Sequence, residues 1–122
     1  MKVLEVYSDE SGETHFKEYG VSLSTVDFAP PSPPLKVSDQ RSAKDYLFIE
    51  APPGWDDSYH ATPRKQLGVL LSGQITVTSS RGQAVELGPG SVFLLNDEGS
   101  KGHLTKVIGS QNANFLLIGL DQ

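Results

Sequence analysis

Glycine and proline interrupt this chain so often that no stretch between them sustains a helical period, and what lies between them alternates instead. Tyr46-Leu47-Phe48-Ile49-Glu50 reads as a strand stopped by Ala51-Pro52-Pro53-Gly54. Gln74 to Thr78 places Ile75 and Val77 on one face and Gln74, Thr76 and Thr78 on the other. Val85 and Leu87 run into the tight turn Gly88-Pro89-Gly90, Ser91 to Leu95 reads as a buried strand, and Asn96 to Gly102 as a polar, glycine-rich loop. The segment from His103 to Ile108 and the apolar run from Ala113 to Leu120 close the chain. About ten short, regularly spaced strands predict an antiparallel sandwich or barrel.

A chain of 122 residues is one domain with room for a single core. The net charge of −5 argues against nucleic acid as a partner, because a phosphate-binding surface is normally basic. With no cysteine there is neither a disulfide nor a thiolate metal ligand, which suits a reducing cytoplasm. An acidic residue at Glu5 comes too early for a secretory apolar core, and the apolar runs fall far short of a membrane span, so a soluble, unprocessed, cytoplasmic protein is expected.

Residues 1–40 read as an N-terminal arm. Val3 to Tyr7 and Thr14 to Lys17 form paired strands against the main body, and the proline-rich FAPPSPPL connector from Phe28 to Leu35 should be extended, with its apolar ends pinned to the surface. Residues 45–120 then make the barrel.

The stretch GWDDSYHATPRKQLGVLLSG, from Gly54 to Gly73, reads as two strands around a polar turn at Pro63, Arg64 and Lys65. Ser58, His60 and Thr62 share a face of the first strand, and the hairpin brings His60, Thr62 and Gln66 side by side. This spacing resembles the first cupin motif, G-x5-H-x-H-x3-E-x6-G, with Gly54, His60 and Gly73 in place, Thr62 standing for the second histidine and Gln66 for the glutamate. The stretch from Gly90 through Asn96 to His103 is similar to the second cupin motif. There Asn96 replaces the proline, the segment from Asn96 to His103 is longer than the motif, and Val107 replaces the final asparagine.

The resemblance implies an all-β, antiparallel jelly-roll-like β-barrel, the cupin fold. It also implies one divalent metal (manganese, iron, nickel or zinc) inside it, held here by the reduced set His60, Gln66 and His103. A glutamine neutralises none of the metal's charge, so such a site binds more weakly than the full family set, and Thr62 leaves a position open to water or substrate. On this reading the protein has a small-molecule pocket that holds a metal, with Trp55, Thr62 and Arg64 as substrate-binding residues, and if it is an enzyme the metal acts on a small polar substrate. The alternative is a metal-free metabolite-binding or sensing module in which the histidines bond to neighbours or to a ligand. Arg64, Lys65 and Lys101 attract an anion or are simply a solvated turn, and Trp55 walls the pocket or plugs a core or interface. Asp56, Asp57, Asp97 and Glu98 are flanking loop acids that complete a ligand set or stay exposed. Homodimerisation, frequent in small cupins, is expected, with the arm packing across to the partner.

Overall fold

The computed structural model describes residues 1–55 and 58–121, so Asp56 and Asp57 lie outside the described residues. Eleven strands and no helix are found among them. They are β1 (Lys2–Ser8), β2 (Thr14–Gly20), β3 (Ser24–Val26), β4 (Leu35–Val37), β5 (Ala43–Ala51), β6 (Gln66–Ser72), β7 (Gln74–Thr78), β8 (Ala84–Leu87), β9 (Val92–Asn96), β10 (Leu104–Ile108) and β11 (Ala113–Leu120). With no helix, no described segment can cross a membrane as a helix.

Six strands form one sheet in the order β2-β1-β9-β6-β11-β5, three form a second in the order β10-β7-β8, and β3 and β4 pair by themselves. The alternation seen in the sequence sets the faces. In β6, Gln66, Gly68 and Leu70 are buried while Leu67 and Val69 are only partly so, and in β7 Ile75 and Val77 are buried. These faces meet in a core of Ala51, Leu70, Phe93, Ala113 and Phe115 from the large sheet against Ile75, Val77 and Val107 from the small one. Leu70, Ile75 and Val107 are almost wholly buried, each worth about 1.5–3 kcal/mol relative to exposure.

Five expectations are corrected. The sheets are not antiparallel throughout: β1 runs parallel to β9, with Val6 opposite Leu95, and the described ladders do not close into a continuous barrel. Alternation dictates which face a residue takes but not which strand becomes its neighbour, so this pairing was invisible in the sequence. β1 is therefore an interior strand of the main sheet, contributing buried Val3 and Val6, and not an arm laid on it.

The strand expected from Ser58 to Thr62 shrinks to one antiparallel bridge, His60 to His103. Side-chain bonds replace its ladder: the Thr62 hydroxyl donates to the Arg64 carbonyl at 2.6 Å, and the Thr62 amide is directed at Asp97. The proline segment is not pinned by its ends. Phe28 is 62% exposed and Leu35 51%, and the segment is the tip of the β3–β4 hairpin.

Candidate functional site

Between the two sheets lies a cavity of about 280 Å³. Its wall is mostly aliphatic and aromatic, drawn from β1, β5, β7, β9 and β11, with Val6, Ile49, Phe93 and Phe115 among the lining side chains. Trp55 also lines it, held by bonds from its own amide to the Pro52 carbonyl at 3.1 Å and from the Val107 amide to its carbonyl at 2.8 Å. The polar contributions come from Glu50, Thr105, His60 and His103.

The two histidines are brought together by backbone. His60 and His103 exchange both amide bonds, at 3.1 and 3.0 Å, and their rings stand 5.2 Å apart between centroids, tilted by 45°. Gly102 makes this approach workable. Its φ of +86° suits glycine, and a Cβ there would overlap the His60 carbonyl. The Nδ1 of His60 lies 3.0 Å from the Ser58 carbonyl, which can only accept, so Nδ1 carries a proton. His103, 3% exposed, places Nδ1 2.7 Å from the carboxylate of Asp97.

Asp97 is the residue that the sequence undervalued. It reads as a loop acid, yet it is fully buried, with one carboxylate oxygen on His103 and the other 3.3 Å from the Thr62 amide. The loop that carries it is fastened to the β1–β2 turn: the Lys101 amide donates to the Gly12 carbonyl at 2.9 Å, the Thr14 hydroxyl to the Gly102 carbonyl at 2.9 Å, and the Lys101 ammonium pairs with Glu13. Those contacts join residues nearly ninety positions apart. No local pattern around Asp97 signals them.

The other residues singled out above take different positions. Gln66 is buried, but its amide donates to the Thr62 hydroxyl at 3.1 Å, and neither side chain lines the cavity. Arg64 pairs with Asp45 and packs over Gly119, so its charge is held at the outer end of β5 and β11. Glu98 is exposed. The third histidine, His15, bonds Asp9 at 2.7 Å and lies beside the Tyr7 ring, away from the cavity lining.

Among the described residues the donor set does not complete a site for a divalent metal. Among the described residues no three histidine or carboxylate groups converge, Gln66 is engaged with Thr62, and the Asp97 carboxylate is taken up by His103 and Thr62. Two imidazoles fall short of the three or four protein ligands that such ions normally take.

No protein-family model matches the chain, and no curated protein sequence matches it. Solved structures do. A sugar phosphate isomerase of the cupin superfamily from Silicibacter pomeroyi superposes with a TM-score of 0.51 at 16% identity, over 63% of this chain and 50% of that one. The match thus spans half the length of that protein. A conserved protein of unknown function from Streptococcus pyogenes superposes with a TM-score of 0.50 at 14% identity, over 70% of each chain. The cupin domain of Schizosaccharomyces pombe Cnp3 is also similar, with a TM-score of 0.49 at 16% identity, over 88% of this chain and 73% of that one. The chain has the fold of a small cupin domain.

Proposed function

We propose that this protein binds a small, largely apolar molecule in the cavity between its sheets, with His60 and His103 as the polar end that orients it and Trp55 as a wall. The observation that carries this reading is the lining itself: an apolar chamber in which the few polar side chains include two backbone-coupled histidines. A concave, mostly apolar site with a small number of oriented polar groups is the usual form of a small-molecule site. The donor chemistry favours a metal-free pocket over the metal-dependent reading.

Trp55 is the only tryptophan and lines the cavity, so tryptophan emission reports on this one site. Titration with menthane, a saturated hydrocarbon with no polar atom, is expected to change that emission saturably and to raise the melting temperature. Manganese, iron, nickel and zinc ions are expected to leave the melting temperature unchanged. Stabilisation by one of these ions that is lost in both His60→Ala and His103→Ala would restore the metal reading, and the absence of any response to menthane and to its oxygenated derivatives menthol and menthone would remove the pocket reading.

We further propose that two copies associate through β5. It is the terminal strand of the large sheet, with one edge unpaired, and every residue but Ala51 is exposed. Tyr46 and Phe48 are 69% and 68% exposed, and their rings pack edge to face on each other. A long, apolar, unpaired edge is a template for pairing with another strand, and a two-fold axis across it would cover the same surface on both copies.

A further inference from the structure

We infer that Asp97 locks His103 into a single tautomer, so that the cavity offers a hydrogen-bond acceptor and selects apolar ligands that carry a hydroxyl donor. This rests on the pocket reading above and adds to it the chemical class of the ligand.

The Asp97 carboxylate is closed off from solvent. Asp97 is fully buried, and such a group must be met by donors. One oxygen faces the Thr62 amide, whose proton is not negotiable, and the other faces Nδ1 of His103 at 2.7 Å. A carboxylate accepts, so the ring proton of neutral His103 resides on Nδ1 and the lone pair on Nε2. The only hydrogen bond of this ring among the described residues is the one through Nδ1. No buried side-chain nitrogen or oxygen among them lacks a partner, so Nε2 is not sealed inside the protein, and since His103 lines the cavity we assign this nitrogen to the cavity wall. An acceptor presented in an apolar chamber favours a ligand that brings a donor, because an alcohol completes the bond where a ketone sets two lone pairs against each other.

Asp97→Asn separates this from a merely structural role. The Thr62 amide needs an acceptor and so draws the new carboxamide oxygen to its side, leaving the NH2 group facing His103. His103 must then accept at Nδ1 and carry its proton on Nε2, which turns the acceptor in the cavity into a donor.

The test is made on the full chain at mildly alkaline pH. Long-range nitrogen–proton correlation spectra of the imidazole rings are expected to show His103 protonated on Nδ1 in the wild type and on Nε2 in Asp97→Asn. Trp55 emission is followed with menthol, menthone and menthane. In the wild type menthol is expected to bind about tenfold more tightly than menthone, the worth of one hydrogen bond, and in Asp97→Asn the two are expected to bind alike. Wild-type His103 protonated on Nε2 overturns the inference without any ligand and even if the variant fails to fold. Equal binding of menthol and menthone to the wild type overturns the ligand class while leaving the pocket standing. Failure of all three probes, menthane included, overturns the pocket itself and the inference with it.

Discussion

Gly102 lies against the backbone of His60 so closely that a Cβ added to it would stand 2.7 Å from the amide nitrogen of Ala61 and overlap the His60 carbonyl. The obstacle is backbone on both sides, so no side chain can swing away to relieve it. With φ at +86°, alanine is also strained at this position before any contact is counted. Gly102→Ala is expected to cost well over about 1 kcal/mol in urea unfolding. It should also open the His60–His103 bridge, seen as faster hydrogen exchange of the two amides that form it. Unchanged exchange at both amides would mean that the bridge does not depend on glycine.

Gly68 makes room for Phe93 in the same way, but here the obstacle is a side chain. A Cβ at Gly68 would overlap the Phe93 ring, which is only 7% exposed and packed edge to face on Phe115. Gly68→Ala is expected to destabilise by about 1–3 kcal/mol, the usual cost of overpacking. Adding Phe93→Leu, which removes the obstructing ring edge, should make the double variant more stable than the sum of the single effects predicts, by about 0.5 kcal/mol or more. Strict additivity would show that the two positions do not share the space.

The β5 edge yields a prediction about assembly. Sedimentation of the wild type is expected to give a dimer, and Phe48→Asp, which places a charge in the exposed apolar edge, a monomer with an unchanged circular-dichroism spectrum. The same change at Phe28, on the separate β3–β4 hairpin, is expected to leave the dimer intact. A monomeric wild type at micromolar concentration would end the β5 proposal.

Three carboxylates, Asp9 and Asp45 exposed and Glu13 partly buried, are held below their ordinary range: Asp9 chiefly by its hydrogen bond from His15, Glu13 by that from Lys101 and Asp45 by that from Arg64. A pKa lower in the folded than in the unfolded chain adds stability above the unfolded value and loses it as pH falls through the folded one. Melting temperature compared between the wild type and Asp9→Asn/Glu13→Gln/Asp45→Asn should therefore show a gap at neutral pH that narrows below about pH 4. The gap should be small and shrink with added salt, because the Asp9 and Asp45 pairs are open to solvent on both sides and the Glu13 pair on its lysine side. A gap that widens on acidification would reverse the assignment.

Much of the fold was legible because a half-buried strand writes its own face in its sequence. Ile75 and Val77 in β7 take the face that their alternation predicts, and the apolar run from Ala113 to Leu120 forms β11. The pairing of His60 with His103 could be anticipated only through the resemblance of two separate motifs, since nothing local connects them. The strand expected around His60 did not form because its polar groups found side chains and one distant backbone partner in place of a ladder.

By itself, then, the sequence determined an all-β chain, the strand faces and the two histidines. Tertiary structure alone decided that β1 enters the sheet parallel to β9, that Gln66 turns to Thr62 and Arg64 to Asp45, and that Asp97 stands buried behind His103. The division has one physical cause. Side-chain alternation is a property of neighbours along the chain, whereas the burial of Asp97 is produced by the β1–β2 turn docking on its loop from nearly ninety residues away, and that contact exists only once the chain has folded.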